Sequence, residues 1–287
     1  MNKDFIYIDN TTALRSLCDQ MVNSSWLAVD TEFERERTYY PELCLLQFAN
    51  TEITAIIDPI AINDMQPVYD LLYNTSITKV FHSARQDLEI FFHLYGRLPL
   101  PLYDTQIAAT VTGEDNSIGY AHLVEKMLGV TLDKAYTRTD WKRRPLKPSH
   151  LRYAADDVIY LGMVYEELLA KLTDSDKLSR LQKELDNLKD PLLYVPMPET
   201  MWKKIHEARR LNGDNLAALQ ALATWRELTA RKDNLPRKWV ISDPLLIDIA
   251  RNLPANEPEL STLRGVDEAM LKRYGTELLS IVRSVIA

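Results

Sequence analysis

Three prolines fall within ten residues in the run DPLLYVPMPE at Asp190–Glu199, and no other feature constrains this chain as much. A proline ring fixes φ and removes a backbone donor, so neither a helix nor a central strand can run through such a segment. The 287 residues are thereby divided in two, and the pattern changes across the break. Before it, short strand-like runs alternate with helical ones. After it, each periodic stretch is helical: Trp202–Leu211, Asn215–Arg231, Pro244–Asn252 and Asp267–Ile286, separated by Pro, Gly and Asn. The expectation is a first domain over residues 1–192 and a small all-α domain over 200–287.

Within the first part, Phe5–Ile8 alternates like a short strand, and Thr11 or Thr12 offers an N-cap to the apolar-periodic run Leu14–Val22. Trp26–Phe33 is a buried strand that ends in charge. Cys44–Ala49 and Ile53–Ile57 are two strands joined by a polar turn, and Lys79–His82 is another. Helices are predicted over Arg85–Leu94, stopping at Gly96, over Tyr103–Thr110, and over Tyr120–Leu128, stopping at Gly129. A long one covers Ser149–Leu172 behind Pro148. That order gives an α/β domain, a mixed sheet with helices packed on it.

Composition narrows the setting. With 46% apolar and 26% charged residues the chain suits a globular protein. No stretch approaches the roughly 20 uninterrupted apolar residues of a membrane span. The opening MNKDFIYIDN, with acids at Asp4 and Asp9, does not read as a secretory leader. Cys18 and Cys44 form no CxxC pair, which argues against a disulfide framework or a cysteine zinc site and fits a reducing cytoplasm. The net charge of −7 is unevenly spread: residues 201–287 hold 14 basic against 11 acidic side chains. Lys134–Arg152 carries seven bases, Lys134, Arg138, Lys142, Arg143, Arg144, Lys147 and Arg152, against the single acid Asp140. Such a run can track a phosphate backbone, although a solvated basic loop has the same composition.

Three acidic positions could carry chemistry. Asp30-Thr31-Glu32 closes an apolar strand, and residues i and i+2 share a face, so two carboxylates project together. Their repulsion costs about 1 kcal/mol in water and more at lower dielectric, and divalent cations with a taste for hard oxygen relieve it. Asp87 lies in the first turns of a helix, a place carboxylates also favour for dipole reasons alone. Tyr153 and Asp157 stand at i and i+4 on one face of the long helix, whereas Asp156 points about a hundred degrees away. Taken singly, each has a bland explanation, a polar strand end, a helix-dipole acid or a solvated face.

Together, Asp, Glu, Asp and Asp in this order, with a tyrosine four residues before the last, resemble the DEDD exonuclease superfamily in its tyrosine subclass. The surrounding text is more specific. VDTEFERERTYYPELCLLQ, VFHSARQDLEIF, YDTQIAA, SIGYAHLVEKMLGV, DKAYTRTDWKRRPL and YAADDVIYL closely resemble the bacterial ribonuclease D family over about residues 5 to 190. TWRELTARKDNLPRKWVISDPLLIDIA and LSTLRGVDEAMLKRYGTELL resemble the helical HRDC module. Family members often carry two such modules, and this chain has room for one.

The resemblance implies a ribonuclease H-like fold and 3′-5′ exoribonuclease chemistry with two divalent ions, Mg²⁺ or Mn²⁺, about 3.5–4 Å apart. It implies Asp30 bridging both ions, Glu32 and Asp157 on the ion carrying the attacking water, and Asp87 supporting the other ion through water. Tyr153 would orient that water. Implied partners are RNA, tRNA precursors above all, with no membrane and a monomeric enzyme. Arg138, Lys142, Arg143, Arg144 and Lys147 are candidate RNA contacts. Two further readings stand beside this one, a DNA 3′-5′ exonuclease of the same superfamily and a catalytically silent RNA-binding scaffold.

Overall fold

A computed structural model describes residues 4–133, 136 and 139–286. The chain divides into two compact units, Met1–Glu34 with Pro41–Tyr194, and Arg35–Tyr40 with Val195–Ala287.

The first unit is built on a six-stranded mixed sheet: β1 (Ile6–Ile8), β2 (Trp26–Glu34), β3 (Glu42–Ala49), β4 (Thr54–Ile57), β5 (Thr78–Phe81) and β6 (Leu102–Asp104). Their spatial order is β1-β4-β3-β2-β5-β6. β2 runs antiparallel to β3 and parallel to β5. Chain order thus reverses direction across the sheet at β2, the kind of switch point where open α/β sheets bind ligands beyond the strand ends. β5 pairs with β2 only from Trp26 to Ala28, so the edge of β2 from Asp30 onward is free of it.

Helices α1 (Thr11–Met21), α2 (Gln66–Leu72), α3 (Arg85–Tyr95), α4 (Thr105–Thr112), α5 (Tyr120–Leu128), α6 (Pro148–Lys171) and α7 (Ser175–Asn187) complete this unit. α6 is the longest, and it packs across β2, β3, β4 and β5. Its small Ala154 and Ala155 let it lie close on the sheet, clustered with Leu45, Ile56, Ile159 and Trp141. Pro148 at its first turn gives up a donor that no helix uses there.

The structure corrects several expectations. Asn10, not Thr11 or Thr12, caps α1, because its side chain accepts from the Ala13 amide and leaves both threonines inside the first turn. Tyr103–Thr110 is not one helix. Leu102–Asp104 is drawn into the sheet beside β5, and Asp104 then caps α4. Trp202–Leu211 is a pair of 3-10 turns, Pro198–Lys204 and His206–Arg210, since Pro198 starts a tight turn that never relaxes into an α-helix. α2 and α7 went unforeseen. Pro67 masks the first, and the second is so polar that only Leu181 and Leu185 are buried.

The second unit gathers α8 (Gly213–Lys232), α9 (Arg237–Val240), α10 (Asp243–Asn252), α11 (Glu257–Ser261), α12 (Glu268–Met270) and α13 (Thr276–Ile286), with a π-helical turn at Leu271–Gly275. Its core includes Leu219, Leu222, Leu246, Ile249, Leu260, Leu278 and Val282. Arg35–Tyr40, which sequence division leaves in the first part, belongs here because Tyr39 is buried in that core. Among the described residues no helix is long and apolar enough to cross a membrane.

Candidate active site

Asp30 and Glu32 leave the apolar body of β2 where the neighbouring strand has ended. Their shared face is the α6 side, since their cross-strand partners Gln47 and Leu45 lie on that side. A β-bulge follows at once, between Glu32 and Phe33, and re-aims the chain as it leaves the pair.

Asp87 arrives on the first turn of α3. That turn is held by Asp104, whose buried carboxylate accepts from the amides of Ser83 and Ala84 at 3.1 and 2.8 Å and from Gln106 at 2.8 Å. One side chain therefore fixes the starts of both α3 and α4. Ser83, at φ 58, sits in the left-handed region to make this corner. Asp87 in turn accepts from the Thr31 hydroxyl at 2.5 Å, which ties it to the strand residue between the two acids.

Tyr153 and Asp157 come down from α6. A pocket is lined by Asp30, Thr31, Glu32, His82, Tyr120, Tyr153, Asp157 and Leu161. Of the five residues picked out from the sequence as catalytic, four thus line one pocket, and Asp87 is bonded to its wall. Asp156 turns away from it, as its helical phase requires, and pairs with Arg152.

Among the described residues no Lys or Arg lines this pocket. Burial raises every acid at this site, and the negative charge of neighbours adds to it for Glu32, Asp87 and Asp157. Glu32 is pushed up to about 10 by burial and by Asp30, Asp157 and Asp87. Asp30 rises to about 6 by burial. Asp87 and Asp157 go well above the usual carboxylate range through burial and Asp30. This is a cluster of carboxyl groups that no Lys or Arg among the described residues is placed to neutralise, built from the hard oxygen donors that suit Mg²⁺ or Mn²⁺. The donor set fits divalent ions chemically. Its oxygens are not pre-wrapped on one point, and among the described residues no three His, Cys, Asp or Glu side chains stand ready as a closed ligand set. Mutual repulsion holds such carboxylates apart, and the Thr31 hydroxyl engages Asp87.

Three pocket residues escaped sequence reasoning. Tyr120 donates to the Asp157 carbonyl at 2.6 Å, pinning α6 at the residue that matters. His82 is occupied at both ring nitrogens, Nε2 on the Ile118 carbonyl at 3.1 Å and Nδ1 beside the Thr105 hydroxyl at 2.9 Å. Burial lowers its pKa, so it stays neutral and adds no charge to the pocket. Thr31 looked like a spacer. Only the fold, which carries α3 back to β2, gives these three their places.

Tyr153 stacks on buried Trp141, with centroids 6.2 Å apart and planes at 29°, and meets Tyr136 edge-on at 5.9 Å. Trp141 lies within the basic run. Arg144 is half-buried there. Its guanidinium holds the carboxylate of buried Asp58 at 2.6 and 2.7 Å and donates to the carbonyls of Trp141 and Cys44. Arg144 therefore serves the fold, its guanidinium engaged by Asp58. Lys142 pairs with Glu42, Arg143 and Lys147 are exposed, and Arg138 lies outside the described residues.

Comparison with known proteins shows the family. A 3′-5′ exonuclease family model matches residues 5–173, and the HRDC domain model matches 215–282. The chain is 39% identical to a ribonuclease D of Gluconacetobacter diazotrophicus over 281 residues, covering 97% of this chain and 71% of that protein. It is 42% identical to one from Zymomonas mobilis over 261 residues, 90% of this chain and 67% of the relative. The crystal structure of Escherichia coli RNase D, described as an exoribonuclease involved in structured RNA processing, superposes with a TM-score of 0.90 at 38% identity. That match covers 99% of this chain and 76% of the other.

Proposed function

The chain belongs to the ribonuclease D family of 3′-5′ exonucleases, and from that membership we propose that it trims RNA from the 3′ end at the pocket of Asp30, Glu32, Asp87, Tyr153 and Asp157, releasing 5′-mononucleotides. The observation that carries this reading is the gathering of four acids, all raised by burial, with no cationic side chain among the described residues lining the pocket. A scaffold that only bound RNA would gain nothing from such a cost.

Asp30, Glu32, Asp87 and Asp157 would hold two divalent cations, Mg²⁺ or Mn²⁺. Such ions activate water for in-line attack on phosphorus and stabilise charge on the leaving oxygen. The chain's own residues supply position. The β2 edge presents Asp30 and Glu32 on one face. Thr31 and Asp104 between them fix Asp87, and Tyr120 fixes Asp157 through its carbonyl. Burial and the nearby carboxylates of Asp157, Glu32 and Asp30 drive the Tyr153 hydroxyl still higher than its usual value. It keeps its proton and acts as a donor that orients the attacking water, not as a base.

Upstream phosphates would meet Lys142, Arg143 and Lys147, and the HRDC unit would grip the body of a structured RNA. Precursors of tRNA, with a folded body and a single-stranded 3′ tail, suit a monomeric enzyme of this design.

The test is an end-labelled tRNA precursor incubated with the purified chain, with and without EDTA. Stepwise release of 5′-mononucleotides that stops with EDTA is expected. Asp30→Ala and Asp157→Ala should each abolish release while binding RNA nearly as well as wild type. Near-wild-type rates in either folded variant would remove the pocket from the chemistry. A matched DNA oligonucleotide degraded as fast as the RNA would favour the deoxyribonuclease reading.

A further inference from the structure

Gln47 is a buried polar group beside this pocket that takes no part in the hydrolysis proposed above. The β2–β3 register sets it directly opposite Asp30, and the β3–β4 register sets it opposite Ile56. Directly opposed residues share a face of the sheet. Ile56, and Leu45 two residues before Gln47, cluster with Ala154, Ala155 and Ile159 of α6. Gln47 therefore lies under α6, beside Asp30. It is 0% exposed, and neither its Nε2 nor its Oε1 has a hydrogen-bond partner among the described residues.

A buried amide without partners costs free energy that Leu or Met at this position would avoid. The helix above cannot relieve it, because backbone groups in mid-helix already serve one another. Asp30 can. Opposed β-carbons in an antiparallel pair stand about 4.5–5.5 Å apart, so rotation of the glutamine side chain brings its amide to the Asp30 carboxylate. The chemistry suits an acid that must bind cations. A lysine here would neutralise the carboxylate and compete with the ions, and an apolar side chain would leave it free to turn. An uncharged donor fixes its orientation and leaves its charge intact.

We infer that Gln47 is a positioning residue of the nuclease site, donating from Nε2 to the Asp30 carboxylate and holding it in the orientation that receives the cations. The inference rests on the reading of Asp30 as a ligand. Partners that orient ligating side chains typically govern metal affinity by 10- to 100-fold.

The experiment compares Gln47→Met and Gln47→Leu with wild type as full chains. It measures unfolding in urea without metal, Mn²⁺ binding by calorimetry, and the kinetics of a single-stranded RNA oligonucleotide. Expected are unfolding midpoints equal to or above wild type, Mn²⁺ affinity lower by about tenfold or more, and reduced kcat at unchanged KM. A packing role predicts the reverse pattern, lower stability with wild-type Mn²⁺ affinity, and that result overturns the proposal. So do wild-type affinity and kcat at any stability, or failure of both variants to fold. Asp30→Asn separates the two readings. If it binds Mn²⁺ like wild type, the assignment of Asp30 has failed. If it loses binding while both Gln47 variants keep it, only the role of Gln47 has failed.

Discussion

Tyr153 shows at the scale of one residue how position outranks reactivity. Its hydroxyl is pushed above the ordinary tyrosine range by burial and by four carboxylates, so it holds its proton throughout the working pH range. A group that cannot give up its proton can still aim a water. Tyr153→Phe removes only the hydroxyl, and turnover should fall about 10- to 100-fold, the usual scale for misplacing a reacting group. Mn²⁺ binding should be unchanged, because no ligand is removed. Single-turnover assays beside calorimetry check both parts, and an undiminished rate would take Tyr153 out of the catalytic set. The residue was legible in the sequence as a tyrosine one turn before Asp157. Tyr120 was not, because its bond to the Asp157 carbonyl spans 37 positions.

At the scale of elements, two segments hold their shape by polar groups that sequence patterns do not reveal. The first is the turn that carries Trp141 onto Tyr153. Its anchor is Arg144 on Asp58, at the end of β4, with Tyr7 donating to the same carboxylate at 2.5 Å. Composition placed Arg144 among RNA contacts, since a run of bases reads alike whether or not one member turns inward. If Trp141 acts by backing Tyr153, then Trp141→Leu should slow turnover in the wild-type background and have little further effect in Tyr153→Phe. A double-mutant cycle measures that coupling, and additive losses would deny it. The second is Lys79 at the start of β5. It is 0% exposed, and its ammonium donates to the carbonyls of Asn74, Ile77 and Leu100 at 2.9, 2.6 and 2.8 Å. Three donors meet three acceptors and tie the turn before β5 to the segment before β6. Lys79→Met keeps the stem and strands the carbonyls, so it should destabilise the chain by about 3 kcal/mol or more in urea unfolding. A loss under about 1 kcal/mol would mean that solvent replaces the bonds.

At the scale of the whole molecule, Glu227 ties together three segments of the helical unit. It is 0% exposed and is met by the Tyr39 hydroxyl and by Arg231 and Arg237. Burial alone would raise its pKa. The hydrogen bonds and charge of Arg237, together with Tyr39 and Arg231, outweigh burial and hold it below the usual glutamate range. A carboxylate with a depressed folded pKa stabilises the fold fully above its unfolded value, near 4.3, and loses that contribution as pH falls through the folded one. Thermal stability should therefore drop on acidification below about pH 4.3. Glu227→Gln should cost about 3–5 kcal/mol at neutral pH, as for other broken buried pairs, and show a shallower acid limb. An unaltered acid limb in the variant would assign it to other carboxylates. RNA binding is a second property of the whole surface. Neutral residues at Lys142, Arg143 and Lys147 should flatten the log–log salt dependence of binding by about 0.7 for each phosphate no longer neutralised. An unchanged slope would place that run away from the RNA.

What the sequence determined by itself was local or chemical. Strand and helix periods, the proline break, the i, i+2 spacing of Asp30 and Glu32 and the i, i+4 spacing of Tyr153 and Asp157 all repeat within one or two turns of chain, where backbone geometry is the only arbiter. The tertiary structure decided whatever depends on a partner far along the chain. It drew Leu102–Asp104 into the sheet, turned Arg144 inward to Asp58, set Gln47 beside Asp30, and placed Tyr39 in the core of the helical unit. The physical reason is that a buried polar group takes its role from what lies within hydrogen-bond reach, and that neighbourhood exists only once the chain has folded.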